Sequence, residues 1–119
     1  MRDFLADMAK RLARNQPVTC LITTDGELRR LNRQFRGKNY ATDVLSFPPD
    51  EMAISLDRAA AQAKELGHSL DAELRILMLH GLLHLRGMDH ENDSGEMRRA
   101  ETRWRKRLGL PAGLIERAQ

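Results

Sequence analysis

Residues 73–90 read ELRILMLHGLLHLRGMDH. Leu74, Leu77, Met78 and Leu82 recur at helical spacing, with Ser69 placed to cap the start and Asp71 and Glu73 set on its positive end. Gly87 stops the helix, because only a residue tolerant of positive φ reverses the chain there cheaply. Outward from this helix the other elements fall into place. Phe4, Leu5, Met8 and Leu12 mark an amphipathic helix that ends before Pro17, and VTCLITT (18–24) alternates like a strand. Thr24 and Glu27 have capping-box spacing ahead of a helix whose apolar stripe is Leu28, Leu31 and Phe35 and whose stop is Gly37. DVLSF (43–47) and MAIS (52–55) read as strands separated by Pro48-Pro49. Ser55 or Asp57 caps an alanine-rich helix that runs to Gly67, and an Asp93/Glu96 pair opens a last helix lined by Met97, Ala100, Trp104 and Leu108. The order αβαββααα predicts an α+β fold: a small mixed sheet of about three to four strands covered by about five helices.

The central helix carries three histidines. His80 and His84 are four residues apart, so both imidazoles leave one helix face about a turn apart. The turn at Gly87 returns the chain so that His90 can reach the same point. Three neutral nitrogens at roughly 2.0 to 2.1 Å leave one tetrahedral position open, the arrangement of a catalytic rather than a structural zinc site. His80, His84 and His90 are therefore the expected ligands of one Zn2+. His68 follows the helix-ending Gly67 and is expected to be a dipole partner with no metal role.

The spacing matches the zinc-peptidase pattern HExxHxxGxxH, with Gly81 where the glutamate stands. A glycine cannot carry a proton to a leaving amine, which counts against peptide hydrolysis. Zinc lowers the pKa of water to about 7 without a dedicated base, and a phosphodiester chiefly needs a cation to stabilise added negative charge. Gly81 is expected to leave room beside the metal for a phosphate and sugar.

The chain has 119 residues, 41% hydrophobic and 31% charged, which suits one folded domain spanning 1–119 and excludes fibrous and disordered classes. Apolar runs are too short to span a bilayer, the N-terminal stretch lacks an apolar signal core, and a cytoplasmic location is expected. Cys20 has no partner and is expected to be a buried reduced thiol. Net charge is +3, yet the arginines cluster at 29–36 and 98–107, favouring phosphate partners or solvated helix faces.

Three blocks carry a resemblance: LNRQFRGKNYATDVLSFP (31–48), ISLDRAAAQAKELGHS (54–69) and ELRILMLHGLLHLRGMDH (73–90). They resemble the YbeY family of bacterial rRNA maturation factors, zinc-dependent single-strand endoribonucleases. The resemblance implies that His80, His84 and His90 bind the metal and that Arg36 is a catalytic arginine near it. A helix C-cap is the competing role for Arg36. It also implies cleavage of single-stranded rRNA at the 16S 3′ end and late ribosome quality control. Implied partners are the ribosome or small-subunit ribosomal proteins and an assembly GTPase, with no DNA and no membrane. Asp89 is expected to support a ligand from behind or to shape the turn rather than ligate. The chain departs from the family in opening directly on its first helix, in a shortened loop before Ile54, and in Met88 for the commoner tyrosine. The rival reading is a ribosome-assembly factor with a structural zinc and little hydrolysis. With one Trp, one Tyr and three Phe, a base-reading RNA module is not expected.

Overall fold

A computed structural model describes residues 2–13 and 16–118. Its elements are α1 (Arg2–Leu12), β1 (Thr19–Thr23), α2 (Asp25–Arg36), β2 (Val44–Phe47), β3 (Glu51–Ser55), α3 (Leu56–Leu66), α4 (Leu70–Leu85), α5 (Glu96–Arg107) and α6 (Leu114–Arg117). The sheet order is β1-β3-β2, with β1 parallel and β2 antiparallel to β3. This is the expected small mixed α+β sheet with helices over it.

Central strand β3 is covered on both faces, which is why Met52, Ala53 and Ile54 form an unbroken apolar run. Met52 and Ile54 join the large core with α4, whereas Ala53 packs with Leu28 and Leu45 beneath α2. The sheet lies between α2 on one face and α4 on the other. On its remaining sides α4 is enclosed by α1, α3, α5 and α6. Its apolar surface consequently extends beyond one stripe: Ile76, Leu79 and Leu83 are as buried as Leu74, Leu77, Met78 and Leu82.

The expected caps of α3 and α4 form, that of α2 forms in part, and the Asp93/Glu96 capping box does not form. Thr24 Oγ1 accepts from Glu27 N at 3.2 Å, but the Glu27 carboxylate pairs with Arg30 and leaves the capping box half made. Ser55 and Ser69 cap α3 and α4 through Arg58 N and Ala72 N. Asp93 reaches over Gly95, the residue before α5, to accept from Met97 N at 2.9 Å, while Glu96 turns to Ser94 N. Cys20 is only half-buried, because β1 is an edge strand; burial still pushes its thiol to about 11. Phe35 does not join the apolar stripe of α2 and is 61% exposed.

A short sixth helix, α6, went unread in the sequence, and it closes a buried polar cluster. Glu73 in α4 is fully buried and bonded by Gln62 Nε2 at 2.7 Å, His68 Nε2 at 2.6 Å and a bidentate Arg117 from α6. Burial works to raise its pKa, but the bonds from Arg117, His68 and Gln62 outweigh that and hold it below the usual carboxylate value. His68 is thus a carboxylate partner rather than the expected dipole partner.

Candidate metal centre

The helical repeat of α4 brings the His80 and His84 rings edge to face, with centroids 4.7 Å apart. Arg86 ends the helix and Gly87 follows at φ 97°. Gly87 N donates to His84 O at 2.9 Å and Met88 N to Leu83 O at 3.1 Å, the paired bonds of a Schellman turn. The reversed chain brings His90 to within 5.7 and 5.8 Å of the His80 and His84 ring centroids. One ligand atom from each of the three histidines lies within 4.8 Å of the others, so the cluster could hold a metal ion.

Hydrogen bonds set how two of these rings face. His84 Nδ1 lies 2.9 Å from Met88 O. A carbonyl only accepts, so Nδ1 carries the hydrogen and Nε2 keeps its lone pair. His80 Nδ1 is 2.7 Å from Glu101 Oε2, an arrangement that likewise leaves Nε2 for the ion. Burial, reinforced by the neighbouring His80, holds His84 below the usual imidazole pKa against the opposing Met88 carbonyl. The neutral ring is the one that ligates. This donor set, three imidazoles with two ring tautomers fixed from behind, fits zinc.

Glu101 was missed by sequence reasoning. It is fully buried, and its second oxygen accepts from Ile115 N at 2.9 Å. Its position in α5 offered a signal: four residues after Met97 and three before Trp104, it falls on the core-facing side of the helix. An acid there needs a partner.

The rings open on a cleft of about 470 Å³ that Arg36, Thr42, Asp43 and Ser46 also line. Arg36 reaches it from the end of α2. Its side chain forms no hydrogen bond or ion pair among the described residues; the helix end is capped instead by Gly37 N to Arg33 O and Lys38 N to Asn32 O, both 3.2 Å. Asp89 bonds Glu91 N and the Asn92 side chain, the expected turn role. Those two bonds, Asn92 first, hold its carboxyl below the ordinary value.

Gly81 departs from expectation. A Cβ there would meet Met52 Sδ at 3.0 Å and Ser46 Oγ at 3.3 Å. Ser46 Oγ also donates to Gly81 O at 3.1 Å. The glycine therefore admits close packing of α4 on the sheet rather than clearing space for substrate.

The family model for endoribonuclease YbeY matches residues 1–109. A Solibacter usitatus endoribonuclease YbeY is 58% identical over 98% of this chain and 82% of its own length. The Koribacter versatilis endoribonuclease YbeY is 53% identical over 96% of this chain and 79% of its own. A Thermotoga maritima protein solved in solution superposes with a TM-score of 0.61 at 27% identity, over 87% of this chain and 75% of that one. A buried histidine helix, a glycine turn and a cleft arginine thus sit in a chain that matches YbeY proteins over nearly its whole length, and the chain belongs to the endoribonuclease YbeY family.

Proposed function

We propose that this chain is a zinc-dependent, single-strand-specific endoribonuclease of rRNA processing, acting at the 16S rRNA 3′ end and in late ribosome quality control. The observation that carries the reading is the convergence of His80, His84 and His90 on a cleft shared with Arg36. His80 and His84 would hold the ion through Nε2, with His90 as the third ligand from the turn. Zinc supplies Lewis acidity toward a phosphate oxygen or water when bound. Glu101 and the Met88 carbonyl keep two of the imidazoles in the ligating tautomer. Arg36, with no competing partner among the described residues, pairs its guanidinium with the phosphate as negative charge builds. Gly81 leaves this helix without the general base that peptide hydrolysis requires. Partners consistent with the family are the ribosome, small-subunit ribosomal proteins and an assembly GTPase. Among the described residues no helix is long and apolar enough to cross a membrane.

The test is cleavage by metal-quantified protein and by His84→Ala of single-stranded rRNA, a duplex control and a peptide library. Histidine-dependent cutting of the single strand alone is expected. Intact RNA with tight ribosome binding would instead establish an assembly factor with a structural zinc.

A further inference from the structure

Phe35 and Tyr40 flank Arg36 in sequence and remain 61% and 50% exposed. Phe35 is held by its ring and Tyr40 by its backbone. The Phe35 ring meets Phe47 edge to face, with centroids 5.5 Å apart and planes at 66°. Phe47 packs with Leu31 on the α2 face of the sheet, whereas its neighbours Ser46 and Pro48 line the cleft from the other face; Phe35 reaches the cleft's surroundings through Arg36, the next residue, which lines it. Asn32, 2% exposed and one turn before Phe35, donates to Tyr40 O at 3.0 Å. Arg29 Nε holds the neighbouring Asn39 at 3.0 Å. The loop after α2 is thereby folded back on the helix end that carries Phe35 and Arg36.

The geometry points to a nucleobase-stacking subsite beside the cleft, in which Phe35, with Tyr40 in the loop that follows, takes an unpaired RNA base next to the phosphate that Arg36 holds. It rests on the nuclease reading above. Charge favours RNA as the occupant: Arg33, Arg36 and Lys38 are all exposed in the segment that carries Phe35 and Tyr40, and clustered cations favour a phosphate backbone. Aromatic rings beside cations are how proteins hold single strands without reading sequence, since every base has a π-face. A base in a duplex must first leave its stack to reach such a ring, so the subsite gives this chain its own means of preferring single strands.

The experiment measures binding rather than cleavage. A fluorescently labelled hexamer of riboadenosine, and the same backbone with abasic nucleotides, are titrated onto the His84→Ala protein to prevent turnover. Phe35→Leu in that background keeps apolar bulk against Phe47 and lacks the π-face; it should weaken the adenosine hexamer about tenfold. Phe35→Tyr should bind like the parent, and the abasic hexamer should bind the parent and the Phe35→Leu variant alike. Thermal melts check that both variants fold. Equal affinity of the parent and the Phe35→Leu variant for the adenosine hexamer overturns the subsite, as does an equal loss on the abasic one. An effect of Phe35→Leu on ribosomal-protein binding with RNA affinity unchanged also overturns it and makes the patch a protein-docking site. Failure of the unmutated chain to hydrolyse RNA would sink the nuclease reading while leaving this binding difference intact.

Discussion

Glu101 Oε2 and His80 Nδ1 lie 2.7 Å apart between α5 and α4, both in buried side chains. The other Glu101 oxygen is taken by Ile115 N, so one carboxylate joins His80 to the start of α6. Replacing Glu101 with Gln keeps the shape and loses the charge, and zinc affinity should fall roughly 10- to 100-fold, as for other partners of ligating histidines. Competition with a chelating dye measures it. Unchanged affinity would remove Glu101 from the site.

Gly113 provides a steric route to the same carboxylate. Its φ of −75° suits any residue, but a Cβ would come within 2.3 Å of Glu101 Oε1. Gly113→Ala should therefore displace Glu101 and weaken zinc binding in the same direction as Glu101→Gln. The double variant should be little worse than either alone, because both act through one group.

At Gly81 the glutamate of peptidase helices should not be tolerated. Met52 and Ser46 occupy the space, and a buried unpaired carboxylate adds to the overpacking; a loss of about 3 kcal/mol or more is expected for Gly81→Glu in urea unfolding. A stable Gly81→Glu protein that cuts peptides would show that the contact with the sheet is dispensable.

Arg36→Ala should leave zinc content and melting temperature unchanged, since the exposed side chain supports nothing else among the described residues. Cleavage should fall about 100- to 1,000-fold in kcat, the usual loss for a transition-state donor. Survival of activity excludes Arg36 from the chemistry.

Acid should weaken the contact between α5 and α6. Two parallel bonds from Arg105, at 2.9 and 2.8 Å, are the main cause that lowers Glu116 from 4.5 to about 2. A depressed folded-state pKa stabilises above the unfolded value and is lost as pH falls, here between about 4.5 and about 2. Glu73 is shifted in the same direction. Denaturant unfolding across that window should show stability dropping with acid, and Glu116→Gln should flatten the slope.

Local periodicity made much of this protein legible. Capping residues Ser55 and Ser69, the glycine stops and the alternating strands act over a few residues, so their reading carries directly into structure. The same holds for His80, His84 and the Gly87 turn, because helical pitch alone sets that spacing. What a face meets is a different matter. The packing of Gly81 on Met52 and Ser46, the choice of Glu73 by His68 and Arg117, the exposure of Phe35 and the pairing of Glu101 with His80 all depend on contacts across the fold. Sequence determined which side chains share a helix face and where the chain turns; only the tertiary structure decided which buried charge stands behind which histidine, because helical pitch fixes an angle and says nothing of the neighbour found along it.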